Sequence, residues 1–435
     1  MPAPEIIGLL GIVVMITLLG LRMPIGIAMM LVGVIGFAVL SGIGPALSVL
    51  GTYPYSYSAV YELAVIPLFV LMGNAAAASG MSRDLYAAAY AWVGHWRGGL
   101  ASATVLACAG FAAVSGSSVA SAVTMGKVCL PEMKRYNYDP RLATGTVAAG
   151  GTLGILIPPS TAFVIYAILT EESIGRLLLA GFLPGLLLTA LFMITIAAWT
   201  RFRPELGPPG PVAPRRERID TLGKAGPIVL IVALTIGGIY VGLFTPEEAA
   251  AVGAALALAY AALRRKLGGG VLATTLLDTV KTTAFVFLIL IGALVFGPFL
   301  ALSGLPTKLA DALVALELPR IAILFVLIVI YIILGMFLEG FSILVLTLPI
   351  VIPIIKALNY DTIWFGVLMV ILLEMGLISP PVGINVFVVK GLVPDVPMGQ
   401  IFLGILPFWV AMIVCVALLI AFPDIALIVP NTMIR

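Results

Sequence analysis

Two stretches of this sequence set the same chemistry in apolar surroundings: GILIPPS, Gly154 to Ser160, and GLISPPVG, Gly376 to Gly383. A proline removes an amide donor, and its ring displaces the carbonyl four residues earlier. The carbonyls of Gly154 to Ile157 and of Gly376 to Ser379 are thereby freed within apolar segments. Free carbonyls and hydroxyls are the hard oxygen ligands that replace the water shell of an alkali cation. Beyond each break a new half-helix begins, with amides and a positive dipole end that favour an anion. Each break therefore has the means to hold a cation on one side and a carboxylate on the other. A plainer reading makes the Pro-Pro pairs packing kinks.

Two further apolar stretches have polar or glycine-rich middles. SGSS (115–118) offers Ser115, Ser117 and Ser118 beside Gly116. GMFLEG (335–340) offers Gly335 and Gly340 with Ser342 just beyond, and Ser379 in the nearby break adds a hydroxyl that this tip lacks. The SGSS run also reads as a small-residue helix contact. Glu339 at the second tip and Glu374 before the second break are ionisable groups within apolar segments, where they are costly and usually functional. Glu339 orients the tip or attracts a cation, and Glu374 holds the break by hydrogen bonds; a protonated structural role fits both equally. The three cysteines, Cys108, Cys129 and Cys415, have no metal-ligand spacing and read as small apolar fillers. A single histidine, His95, excludes a two-histidine metal site, and the absence of a Gly-x4-Gly-Lys-Ser/Thr loop argues against ATP hydrolysis.

The elements that must position these groups are membrane helices. The 435 residues are 62% hydrophobic and 10% charged, with a mean hydropathy of +1.21, more apolar surface than a soluble domain hides. The net charge of +3 is too small to suggest nucleic acid. The start, MPAPE, lacks the features of a cleaved signal, so the first apolar run is expected to be retained. Crossings are expected at 5–21, 24–40, 58–78, 142–170, 176–200, 226–244, 247–263, 282–302, 362–389 and 399–422, and re-entrant hairpins at 100–130 and 320–353. The polar segment 201–224 reads as a linker between halves. Glu62, Asp278 and Lys281 are expected near helix ends, at the interface.

The halves are copies. Pro131, Lys134, Asn137, Tyr138, Asp139, Gly154, Pro158 and Pro159 recur 222 positions later as Pro353, Lys356, Asn359, Tyr360, Asp361, Gly376, Pro380 and Pro381. Gly73 with Ser79-Gly80 matches Gly297 with Ser303-Gly304, and Gly181-Phe-Leu-Pro184 matches Gly404-Ile-Leu-Pro407. Five expected crossings separate Asn137 from Asn359, an odd number, so the second copy is expected upside down relative to the first. This topology puts 18 of the 23 Lys and Arg on one face and leaves Arg176, Lys308, Arg320, Lys356 and Arg435 on the other. The basic face is then cytoplasmic and both termini periplasmic. The duplication favours sites over kinks at both breaks. The expected fold class is an all-α polytopic membrane protein, an inverted-repeat elevator-type transporter with two re-entrant hairpins and two broken helices. Its expected parts are scaffold helices and arm over 1–98, the first half of a transport domain over 99–170, scaffold with the linker over 171–319, the second transport half over 320–390, and a scaffold helix over 391–435.

These motifs together, from RMPIGIAM (22–29) through SGSSVASA (115–122) and GGTLGILIPPS (150–160) to GLISPPVGINVFVV (376–389), resemble the large membrane subunit of the tripartite ATP-independent periplasmic (TRAP) transporters. The resemblance covers essentially the whole chain. It implies a sodium-driven elevator-type secondary transporter, not an enzyme, in the bacterial inner membrane, which receives an organic acid from a soluble periplasmic binding protein. By resemblance, one sodium site uses Ser115 and Ser118 with the backbone of Gly154, Ile157 and Pro159. A second uses backbone from Gly335 to Gly340 with Gly376 and Ser379, and the substrate lies near Ser160, Thr161 and Asn385. The family also needs a small four-helix membrane (Q) subunit. Because matched repeat elements begin by residue 73, that subunit is expected as a separate chain. The nearest rival is a self-sufficient sodium–anion symporter that needs no binding protein. A membrane enzyme lacks the His, Asp or Glu clusters it would need, and two closed tips argue against a passive channel.

Overall fold

In a computed structural model the chain is described over residues 3–315 and 317–433, with the backbone alone at 57 and 314. Arg435, counted above in the charge asymmetry, lies outside the described residues. Among those residues the secondary structure is entirely helical. Six helices are long and apolar enough to cross a membrane, or seven when the bent pair Pro140–Leu156 and Thr161–Thr170, which meet at 40°, counts as one span. Several expected crossings are shorter. Pro4–Gly20 and Ile25–Ser41 have 17 residues each, about 26 Å at 1.5 Å per residue, against a hydrocarbon core of about 30 Å.

The repeated sequence makes repeated local structure. Asn137 and Asn359 both adopt positive φ, 55° and 57°, a conformation asparagine tolerates better than most residues. The amides of Tyr138 and Tyr360 donate to the carbonyls of Met133 and Ile355 at 3.0 and 3.1 Å. Asp139 and Asp361 then cap the following helices, accepting from the amides of Arg141 and Trp364, so each NYD turn ends one helix and starts the next. Gly80 and Gly304 end their helices in the left-handed region, and the hydroxyls of Ser79 and Ser303 each donate to a carbonyl three residues back at 2.7 Å. The element order repeats as well. The helix pair Gly99–Ser115 and Ser118–Arg135 leads to Pro140–Leu156 and Thr161–Thr170. The pair Arg320–Gly335 and Gly340–Ala357 leads to Thr362–Leu377 and Ile384–Leu392.

Helices approach closely where glycines face backbone, the packing mode expected when lipid supplies no hydrophobic drive between helices. A Cβ on Gly404 would lie 2.1 Å from the carbonyl oxygen of Arg141, which presses Met398–Ala421 against Pro140–Leu156. One on Gly26 would lie 2.3 Å from the carbonyl oxygen of Leu288, so Ile25–Ser41 is equally close to the long helix Gly269–Ser303. In corresponding positions of the two copies, Val65–Ser79 packs against Pro246–Leu263, and the long helix packs against Ile25–Ser41.

Three boundaries differ from the sequence reading. The helix expected at 282–302 runs from Gly269 to Ser303. Its 35 residues span about 52 Å, well beyond the bilayer core. Asp278 and Lys281 are therefore exposed inside this helix rather than near its end. The linker is shorter than 201–224, because helix resumes at Arg215 and runs to Tyr240. Arg215, Arg216 and Glu217 are good helix formers, and Asp220 with Lys224 makes an i,i+4 ion pair at 2.7 Å. A helix over Ile43–Ser58 precedes the expected crossing at 58–78, which begins as a short 3-10 turn, Tyr61–Ala64. Gly340–Ala357, expected as a re-entrant arm, is one of the six helices with the length and hydropathy of a span.

Candidate functional site

The first helix pair turns at Gly116, whose φ of +62° suits glycine. A Cβ there would also meet the carbonyl oxygen of Pro159 at 2.9 Å, so the tip rests directly on the first break. Thr161, the first residue after that break, donates its hydroxyl to the carbonyl of Gly116 at 3.1 Å. Gly154 lies on the other side of the tip: a Cβ would meet the carbonyl oxygen of Ser117 at 2.5 Å and Ser121 Oγ at 2.6 Å. Ser115 Oγ hydrogen-bonds Ser121 Oγ at 2.7 Å. Proline at 158 and 159 leaves the carbonyls of Gly154 and Ile155 without their α-helical donors. Ser115, Gly154 and Pro159 thus gather around one tip, joined by Ser121, which sequence reasoning missed. Ile157 is buried at the same break and still donates its amide to Leu153.

Ser118 serves a different group. Its hydroxyl donates to Glu374 Oε2 at 2.8 Å and accepts from Asn385 Nδ2 at 2.7 Å. Both partners belong to the other copy, and they lie on either side of the second break. Ser115 and Ser118, expected by resemblance in one ligand set, hydrogen-bond different partners through their hydroxyls.

At the second tip Gly335 packs directly on Gly376, where a Cβ on Gly376 would lie 2.3 Å from the Gly335 Cα. Gly340 is buried near Leu373 and Leu377. Glu339 caps the second arm, accepting from the amide of Ser342 at 3.2 Å, which agrees with an orienting role. Ser379 donates its hydroxyl to the carbonyl of Met375 at 2.6 Å and accepts from Trp409 Nε1 at 3.0 Å. Beside it, Met336, Phe402 and Trp409 line an apolar recess of about 400 Å³. Both Pro-Pro bonds, 158–159 and 380–381, are cis.

A cavity of about 290 Å³ opens at the first tip, lined among others by Asn74, Ser115, Ser117, Thr161, Thr282 and Phe341. It joins both tips to Val65–Ser79 and to the long helix, and its lining contains no charged side chain. Of the three residues expected near substrate, only Thr161 borders it. Ser160 is fully buried and caps the half-helix Thr161–Thr170, accepting from the Phe163 amide at 3.3 Å. Asn385 is fully buried at Ser118. Asn74, whose amide donates to Thr279 Oγ1 at 2.9 Å, was not singled out, although an asparagine inside an apolar helix is a visible signal. A larger cavity of about 670 Å³ lies elsewhere, lined in part by Glu62, Glu171, Glu172 and Glu247. Its carboxylates disfavour an anion.

Comparison with known proteins gives the family. A family model described as "Tripartite ATP-independent periplasmic transporter, DctM component" matches residues 12–425. The chain belongs to this family. It is 38% identical over 373 residues to the C4-dicarboxylate TRAP transporter large permease protein DctM of Pseudomonas aeruginosa, covering 85% of this chain and 86% of that protein. The sialic acid TRAP transporter large permease protein SiaM of Vibrio cholerae is 33% identical over 374 residues, with 85% and 86% covered. The isethionate TRAP transporter permease protein DctMQ of Oleidesulfovibrio alaskensis is 32% identical over 401 residues, which cover 89% of this chain but 62% of that longer protein. The crystal structure of the Alcanivorax borkumensis YdaH transporter has a similar fold, with a TM-score of 0.60 at 16% identity over 87% of this chain and 90% of that one. This TRAP large permease is therefore a polytopic inner-membrane transport protein, and its family works with a small Q subunit and a periplasmic binding protein.

Proposed function

We propose that this permease carries a small organic acid into the cell with sodium, after delivery by a soluble periplasmic binding protein and together with a separate small membrane subunit. The observation that carries the reading is the cavity at the first tip, where the start of the half-helix Thr161–Thr170 meets the serine hydroxyls of the tip that rests on the first break. A half-helix N-terminus favours a carboxylate, and with no Lys or Arg in the cavity lining, bound cations supply the compensating charge. Ser115 and Ser118 with the backbone of Gly154, Ile157 and Pro159 hold one sodium; Gly335, Gly340, Gly376 and Ser379 surround the second. Thr161, Asn74 and Thr282 face the solute. The relatives named for C4-dicarboxylates, sialic acid and isethionate support an acidic solute.

In this reading the repeated helix pairs are inverted re-entrant hairpins. With the two broken helices they form a transport domain that moves against the remaining helices, an elevator-type alternating access. Both chain ends are periplasmic. Sodium and solute together lower the net charge that must move. Each inward sodium adds about 2.3 kcal/mol per 100 mV of membrane potential to its concentration gradient.

Uptake into proteoliposomes containing the permease, its small subunit and its binding protein tests this, under an imposed sodium gradient and with candidate acids. Uptake is expected to require both sodium and the binding protein. Sodium-independent uptake of a solute whose binding is independently established would overturn the coupling. Uptake that persists without the binding protein would establish the self-sufficient symporter instead.

A further inference from the structure

The helix Gly99–Ser115 is entered through a tight turn, GHWRGG (94–99), seated on the end of Phe182–Phe202. Gly98 adopts a φ of +69°, and its amide donates to the carbonyl of Gly207 at 2.9 Å. A Cβ on Gly98 would lie 2.7 Å from Ile196 Cγ2, so glycine lets the turn sit this close. Thr200 donates its hydroxyl to the Arg97 carbonyl at 3.3 Å. These contacts hold the backbone and leave Trp96 and Arg97 exposed. With Ser102, Met193, Ile194 and Arg201 they line a cavity of about 500 Å³.

The cavity has two kinds of wall. Arg201 stands in the last turn of Phe182–Phe202, at the end of the apolar span Ile174–Phe202, where a membrane core gives way to head groups. Met193 and Ile194 lie about two turns, or about 10 Å, deeper along that helix, and Ile194 is 62% exposed. At the other end, the guanidinium groups of Arg97 and Arg201 stay charged at any depth. Neither makes an ion pair or side-chain hydrogen bond among the described residues, and the cavity lining holds no Asp or Glu. Ser102 is 4% exposed, yet its hydroxyl has no hydrogen-bond partner among those residues. The nearby Thr200 hydroxyl, by contrast, is taken up by the carbonyls of Arg97 and Ile196. The His95 ring meets Trp96 edge-on at 6.0 Å, and an indole at this level is typical of a membrane interface. Two fixed positive charges and a buried donor without an acceptor thus stand above an apolar wall.

We propose that this cavity binds an anionic phospholipid, with the phosphodiester between Arg97 and Arg201 and an acyl chain along Met193 and Ile194. A guanidinium fork matches phosphate oxygens, and Ser102 supplies a further donor. Arginines at helix ends also set membrane orientation, but that role needs neither a cavity nor an unpartnered buried hydroxyl. A free phosphate would fill the charged end alone and leave the apolar wall unused. In the topology proposed above this is the cytoplasmic leaflet, where basic pockets between membrane helices take anionic head groups. The site needs no sodium and no solute. A lipid held there joins the root of Gly99–Ser115, whose far end is the first tip, to the helix Phe182–Phe202.

Titration of a fluorescent phosphatidylglycerol into the purified full-length permease, alone and with its small subunit, tests the site, with phosphatidylcholine as the neutral control. Saturable binding of phosphatidylglycerol is expected, with phosphatidylcholine at least about tenfold weaker. Arg97→Gln combined with Arg201→Gln should raise the half-saturating concentration at least about tenfold, because the charge-assisted hydrogen bonds are lost. Ser102→Ala should raise it about two- to fivefold. Ile194→Trp crowds the exposed apolar wall and keeps both charges. It should weaken binding severalfold, a result that stands even if the double variant fails to assemble. Inorganic phosphate should displace the lipid only at far higher concentration, since it gains nothing from the apolar wall. Displacement at equal concentration would make this a site for a free anion and overturn the lipid. Equal affinity for the two lipids, or equal affinity in parent and variants, would overturn it as well. So would binding that disappears when the small subunit is present, which would give the surface to that subunit.

Discussion

The two breaks have nearly the same sequence and different surroundings. At the first, every residue from Leu156 to Ala162 is buried, with a hydroxyl-rich tip resting on the break and an uncharged cavity beside it. At the second, Pro380, Pro381 and Val382 are exposed, and glycine meets glycine where the first copy has serines. The Ser379 hydroxyl, the second break's own, is occupied by Met375 and Trp409. The local backbone therefore follows the repeated motif, whereas access and ligand chemistry follow what each copy packs against. Under the proposed function, one copy meets solute and cation together, and the other surrounds its cation mostly with backbone.

This contrast can be broken at several points. The largest effect is expected from Gly376→Val. Its side chain would collide with the Gly335 backbone, where even a Cβ would lie at 2.3 Å, and overpacking of this kind costs about 1–3 kcal/mol or more. Uptake should be abolished and the melting temperature lowered, whereas retained uptake would mean that the tips need not touch. Next comes Ser115→Ala, which removes one partner of the Ser121 hydrogen bond. A loss of about 1–2 kcal/mol predicts a sodium requirement raised roughly 5–30-fold, read from uptake against sodium concentration. Trp409→Phe deletes the donor to Ser379 and should weaken sodium dependence at the second break by about fivefold, from one hydrogen bond of about 1 kcal/mol. Its effect should add to that of Ser115→Ala; strong non-additivity would show that the two breaks are not separate sites.

Asn74→Ala should raise the solute KM by about two- to fivefold with the sodium dependence unmoved, if the cavity binds solute through peripheral hydrogen bonds. An equal shift in sodium dependence would place Asn74 with the cation instead. The smallest effect concerns the exposed pair of Lys134 Nζ and Asp395 Oδ2, 2.8 Å apart, which ties the end of the first pair to the loop after the second broken helix. The hydrogen bond from Lys134 holds the Asp395 carboxyl below the usual carboxylate range. Stability from the pair is therefore present above the unfolded-state value and lost as pH falls through the depressed one. Lys134→Met should lower the melting temperature slightly at neutral pH, and the difference should vanish in acid.

Much of this was legible in the sequence because membrane helices announce themselves by hydropathy, and because prolines and glycines mark breaks by covalent geometry. The NYD turns at 137–139 and 359–361 were visible as repeated letters, and the positive φ of both asparagines shows why those letters recur. Helix ends were less legible. Hydropathy located the apolar part of Gly269–Ser303 but not its polar extension, since Asp278 and Lys281 suit a helix that leaves the membrane as well as they suit a loop. Partner choice was least legible. That Ser115 turns to Ser121 while Ser118 turns to Glu374 and Asn385 depends on side chains 256 and 267 positions away, which no local spacing encodes. Asn74 and Thr282 line the cavity from helices read only as scaffold, so their place there appears only once the two tips and those helices are placed together.

The bond between Ser118 and Glu374 also has a consequence for descent. Duplicated halves begin as equals and ordinarily drift apart independently, each answering to its own packing. Here one copy's hydroxyl satisfies the other copy's carboxylate and amide in the apolar interior. A mutation at position 118 that removes the hydroxyl leaves two polar groups of the second half stranded, and replacing Glu374 alone takes away the acceptor of the Ser118 proton. Positions 118, 374 and 385 are therefore expected to change together among relatives or not at all, a mutual inheritance between the two halves.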